Sequence, residues 1–133
     1  MQFKVLGSLP NLYQCHCSLC RRQSGAASNA ATIVPVAQFF WLAGEQLIKR
    51  WQKPSGMSSH FCGECGSPVP NVLSGHSCLV WVPAGLLGKV ESKVVAHLCW
   101  ASRADWDLSV GDGLVVYEGM PPDLMEFVRF LSD

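Results

Sequence analysis

The chain is 133 residues long, the size of one domain with no room for a second core. Ten Lys+Arg balance ten Asp+Glu, and only 15% of residues are charged against 49% hydrophobic, which excludes a disordered chain and a nucleic-acid or anionic-membrane binder held by bulk charge. The longest apolar stretch, residues 78–87, is broken by Pro83 and Gly85 and is too short to span a bilayer, while Met1-Gln2-Phe3-Lys4-Val5 lacks the apolar run of a secretion signal. The expectation is a cytoplasmic protein with no membrane or nucleic-acid partner.

Twelve glycines and eight prolines punctuate the sequence regularly, which suits many short strands. In chain order the pattern predicts strands over 12–15, 27–34, 39–42, 47–52, 58–61, 78–82, 94–98 and 114–117. A short helix over 17–23, entered through Ser18, follows the first strand. A terminal helix over 123–131 takes Asp123 as its cap and puts Leu124, Phe127, Val128 and Leu131 on one face. Gly44-Glu45, Pro54-Ser55-Gly56 and Ser74-Gly75 mark turns. The fold class is mainly β, a single domain with short helices.

The seven cysteines are Cys15, Cys17, Cys20, Cys62, Cys65, Cys78 and Cys99. An odd count without a secretion signal fits a disulfide framework poorly, and five of the seven fall in two tight clusters, the distribution expected of metal ligands. In Cys15-His16-Cys17-Ser18-Leu19-Cys20, extended backbone sends Cys15 and Cys17 to one side and His16 to the other, and a helical turn beginning near Ser18 brings Cys20 round to Cys17. Three soft thiolates favour zinc and leave the fourth tetrahedral position open, as a catalytic rather than a structural site does. Such a centre suits a thiol as fourth ligand, because the metal lowers the thiol's pKa and orients the thiolate. Cys62-Gly63-Glu64-Cys65-Gly66 is a knuckle in which Gly63 and Gly66 are expected to permit a tight turn, but it supplies only two ligands. Cys62 and Cys65 also fit a redox dithiol, although no thioredoxin-like βαβ pattern surrounds them. Cys78 and Cys99 read as small core residues.

The segment from Cys15 through Arg21-Arg22-Gln23-Ser24-Gly25-Ala26, the knuckle from Phe61 to Ser67, and the stretch from His97 through Trp106 to Tyr117-Glu118-Gly119 resemble the family of glutathione-dependent formaldehyde-activating enzymes, which includes centromere protein V. The resemblance covers most of the chain. It implies coiled, zinc-anchored antiparallel sheets like those of the small Rab-binding zinc chaperones, and two metal sites: a catalytic zinc on Cys15, Cys17 and Cys20, and a structural zinc shared by Cys62 and Cys65 with an earlier C-x-C. No cysteine precedes Cys15. The chain is therefore expected to lack that earlier C-x-C with its strand, and Cys62 and Cys65 to be metal-free or completed by other groups. The family also supplies the chemistry: glutathione and formaldehyde combine as S-hydroxymethylglutathione, and reversal makes the enzyme a carbon–sulfur lyase. The competing reading is a non-catalytic zinc-stabilised interaction module.

Arg21 and Arg22, directly after the cluster, either clamp a glutathione carboxylate or sit solvated at the helix end. Residues 1–66 hold six Lys+Arg against two Asp+Glu, and residues 67–133 hold four against eight, so the half with both clusters is the basic one. No general base stands out. His16 is expected to face away from the metal, His97 to be a core histidine, and Asp105 and Asp107 to be exposed. The five tryptophans, Trp41, Trp51, Trp81, Trp100 and Trp106, are expected to build the core or line a cleft. Dimerisation across an exposed sheet edge is the expected route to any assembly.

Overall fold

A computed structural model describes residues 1–108 and 113–133. Strands β2 (Leu12–Cys15), β3 (Asn29–Pro35), β7 (Asn71–Leu73), β8 (His76–Pro83), β9 (Val94–Leu98) and β10 (Val115–Val116) form one sheet in the order β10-β9-β2-β3-β8-β7. The β2–β3, β3–β8 and β7–β8 pairs are antiparallel, whereas β9 runs parallel to both β2 and β10, so the sheet is mixed. Two antiparallel ribbons accompany it: β1 (Gln2–Val5) with β4 (Phe39–Ala43), and β5 (Ile48–Gln52) with β6 (Ser58–Cys62). Helix α1 (Ser18–Ser24) follows β2, and α2 (Leu124–Ser132) ends the chain.

Alternation along the central strands builds two cores on opposite faces of the sheet. Tyr13, Cys15, Ala31, Ile33, Leu79, Ala96 and Leu98 point one way and are covered by Phe127 and Leu131 of α2. Val34, Val80 and Val82 point the other way, against Phe3, Val5 and Phe39 of the β1–β4 ribbon. This double coverage explains why β3 reads as a nearly continuous apolar run. Helix α2 starts as its sequence predicts: the Asp123 carboxylate accepts from the Glu126 amide at 3.0 Å.

Two strands escape the sequence pattern. β1 is held by cross-strand aromatic contacts, Phe3 stacking on Phe39 at 5.3 Å and meeting the edge of Trp41 at 6.0 Å. β7 is three residues long, and its pairing with β8 defines it. None of the tryptophans is fully buried, and Trp51 and Trp106 are exposed. Cys78 is exposed rather than in the core, because it lies one residue beyond the last β3 partner of β8, the Pro35–Leu79 pair. Among the described residues no helix is long and apolar enough to cross a membrane.

The inaccessible Leu131 anchors α2, so Leu131→Ala should lower stability by about 2–5 kcal/mol. Met125→Ala on the exposed side of the same helix should change it by less than about 0.5 kcal/mol. Urea midpoints of the two variants check this packing directly.

Candidate functional site

β2 ends at Cys15, which is paired with Asn29 on one side and Leu98 on the other and is buried between them. The backbone stays extended to Cys17 (φ −65°, ψ 157°) and then turns into α1. This geometry puts Cys15 and Cys17 on one side, and the first turn of α1 returns Cys20 to them. The three sulfurs lie within 4.8 Å of one another, and all three thiols are free of disulfides. Cys17, not Ser18, caps the helix: its sulfur accepts a hydrogen bond from the Cys20 amide at 3.3 Å. Sulfur replaces the usual capping oxygen, so one side chain both starts the helix and joins the cluster.

The electrostatics follow from this crowding. Hydrogen bonds from the Cys15 and Cys20 thiols, then the amides of Cys20 and Leu19, hold Cys17 far below the ordinary thiol range. Cys15 is pushed up, chiefly by its hydrogen bonds to Cys17 and Cys20 and by burial. At Cys20 the bond with Cys15 pulls downward, but the bond with Cys17, burial and neighbouring thiol charge prevail and raise it. Ionisation is thus favoured at Cys17 over its two neighbours, and holding all three sulfurs as thiolates requires a cation. Zinc–sulfur bonds of about 2.3 Å in a tetrahedron put neighbouring sulfurs about 3.8 Å apart, and the three sulfurs here lie within 4.8 Å of one another.

The trio faces a cavity of about 300 Å3 that Tyr13 and Trp81 also line. Burial, with Cys15 and Cys20 nearby, keeps the Tyr13 phenol protonated well above its ordinary range. Neither Arg21 nor Arg22 lines this cavity. The Arg21 guanidinium reaches the Ser102 carbonyl at 3.4 Å, and Arg22 is exposed.

The knuckle forms at the far end of β6. The Cys62 amide donates to the Ser67 carbonyl at 2.9 Å and the Gly66 amide to the Cys62 carbonyl at 2.8 Å. Gly66 takes the left-handed backbone (φ 75°) that closes the turn. Gly63 has no such requirement; a side chain there would meet Lys49 and approach the Leu47 carbonyl at 3.1 Å. The amides of Cys65 and Glu64 hold Cys62 below the ordinary thiol range. Among the described residues no third His, Cys, Asp or Glu joins Cys62 and Cys65 in a ligand group.

Behind the trio lies a cluster that spacing alone did not reveal. His16 points away from the cavity, as its position between two inward cysteines dictates, and is 3% exposed. Its Nε2 meets His97 Nδ1 at 3.0 Å, its Nδ1 lies 3.5 Å from the Asp107 carboxylate, and both rings pack on Trp100. Arg103 sits 4.6 Å over the other ring of this group, Trp100. His97 is buried as expected, but Asp107 is buried rather than exposed, unlike Asp105. Cys99 is buried as read, yet it also adjoins the site: its thiol donates to the sulfur of Met120, a cavity-lining residue, at 3.6 Å. Asp107→Ala should therefore cost about 1–3 kcal/mol of stability, against less than about 0.5 kcal/mol for Asp105→Ala, measured by chemical denaturation.

The sequence model of the glutathione-dependent formaldehyde-activating enzyme family matches residues 1–102, a span that holds both cysteine clusters and the buried histidine pair. No curated protein matches the chain. A crystal structure of a Rhodobacter sphaeroides protein shares the fold, with a TM-score of 0.54 and 19% identity over 70% of this chain and 90% of that one. The chain belongs to the glutathione-dependent formaldehyde-activating enzyme family.

Proposed function

We propose that Cys15, Cys17 and Cys20 hold one zinc ion, and that residues 1–133 act as a single-domain carbon–sulfur lyase on hydroxymethyl thiol adducts of the S-hydroxymethylglutathione type. The observation that carries this reading is the convergence of three sulfurs within 4.8 Å on a cavity, with no fourth residue in the ligand group among the described residues. Zinc bound there would supply the charge that keeps thiolates ionised and a vacant fourth position for an incoming thiol.

The chain's own contribution is placement. The Cys20 amide and the start of α1 fix Cys17, and the β3 and β9 neighbours fix Cys15. Tyr13 brings a protonated phenol to the same cavity, an O–H donor for the oxygen of the aldehyde carbon. In the forward direction the thiol sulfur bonds to the aldehyde carbon, and the proton lost by sulfur ends on the aldehyde oxygen. Lysis reverses both changes, and no oxidant or reductant is involved.

Cys62 and Cys65 are assigned no metal in this reading, since two sulfurs make only half of a tetrahedral site. The non-catalytic zinc module is the second reading: Cys99 shares the core cluster of Cys15 and, although it is outside the ligand group and bonded to Met120 at 3.6 Å, it is the sulfur that would close the site by turning toward the trio.

Zinc content and turnover of a hydroxymethyl thiol adduct separate these readings. The wild type should carry one zinc per chain and turn over. Cys17→Ser should lose both properties, and Cys62→Ser should keep both. Two zinc ions per chain, or zinc-loaded protein that turns over no thiol adduct, contradicts the proposal.

A further inference from the structure

Beyond the sulfurs, the cavity is lined mainly by apolar side chains: Trp81 and Leu98 of the sheet, Leu73 of β7, the ring of Tyr13, and Met57 and Met120. Its polar groups are neutral amides and hydroxyls, and two of these, Gln23 and Asn29, already bond each other at 3.2 Å. Among the described residues no Lys, Arg, His, Asp or Glu lines it, and residues 109–112, Ser-Val-Gly-Asp, contain no cation. Arg50 and His60 occupy an adjoining groove on the other side of a shared wall made by Ser58 and residues 71–74. No basic side chain from the first half of the chain therefore lines the site.

Glutathione carries two carboxylates and an ammonium group. Each would lose its water on entering this cavity without an ionic partner, and burial of an unpaired charge is strongly unfavourable. The volume of about 300 Å3 is also at the low end for small-molecule sites. An uncharged organic arm meets no such penalty, and gains from contact with the indole of Trp81 and the methionine thioethers.

We propose that the thiol handled at this site is uncharged and apolar, an aryl or alkyl thiol whose organic arm fills this cavity, rather than a charged peptide thiol. The proposal rests on the reading of Cys15, Cys17 and Cys20 as a thiol-activating metal centre; it keeps the hydroxymethyl thiol adduct of that reading and replaces its charged glutathione arm with an uncharged one. Met57, Leu73, Trp81 and Met120 then select the thiol through shape and desolvation.

The test uses benzyl mercaptan and glutathione as probes of the full chain loaded with cobalt(II) in place of zinc. Sulfur-to-metal absorption reports coordination, and tryptophan fluorescence, with Trp81→Phe as control, reports cavity filling. Benzyl mercaptan should bind at least about tenfold more tightly than glutathione. Val72→Arg, which places a cation on the exposed part of the cavity wall, should narrow that preference. Coordination of both thiols with glutathione equal or tighter overturns the substrate assignment alone and points to Arg50 as the partner of the charged arm. An unchanged ratio in Val72→Arg overturns the charge argument. No new absorption with either thiol overturns the metal-centre reading, and the substrate assignment with it.

Discussion

Three thiols in six residues cannot all ionise at close range without a cation between them, and this constraint organises the surrounding structure. The chain satisfies it with a strand-to-helix junction. Cys15 is the last residue of a strand paired on both sides, Cys17 is the capping residue of α1, and Cys20 is the first helical residue to face back. The cap uses a sulfur where an oxygen would serve a helix better, so the junction is built for the cluster as much as for the helix. Short hydrogen-bonded elements on either side leave these sulfurs little freedom to disperse, which keeps them together as a group that could hold a metal ion.

Alternation along the same segment assigns the reverse side. With Cys15 and Cys17 turned to the cavity, His16 goes to the back, where His97, Asp107 and Trp100 enclose it. The parallel pairing of β2 with β9 makes this possible, since both strands end at the same edge of the sheet and the His16 amide still donates to the Leu98 carbonyl at 2.9 Å. His97 and Leu98 therefore pair with Gln14 and Cys15, and Cys99 follows directly. Cys99 takes a left-handed backbone (φ 54°), the only such conformation at a non-glycine among the described residues. A strained conformation of this kind costs on the order of 1 kcal/mol and persists where neighbours fix it. Here the Cys99 amide donates to the Gly119 carbonyl at 2.8 Å as the chain turns into residues 100–102.

What the sequence made legible was local. The trio, the knuckle, the Asp123 cap and most strands rest on spacings of a few residues, and the structure places them within one or two residues of expectation. What stayed hidden depends on pairing across long separations. β1 exists because Phe3 meets Phe39 and Trp41, and β7 because of its turn back into β8. The parallel placement of β9 could not be read from its apolar run, so Cys99 read as a simple core residue and Asp107 as a surface one. Cavity walls drawn from Met57, Leu73, Trp81, Leu98 and Met120 share no spacing signal at all. The family resemblance supplied the chemistry of the trio, but only the assembled walls show which side chains a substrate would meet.

Zinc-edge X-ray absorption on the metal-loaded wild type tests the central claim most directly. The account predicts three sulfur neighbours at about 2.3 Å with one lighter atom, rising to four sulfurs when a thiol is added. Four sulfurs before any thiol is added, with the fourth lost in Cys99→Ala, would show a site closed by the protein itself and contradict the account.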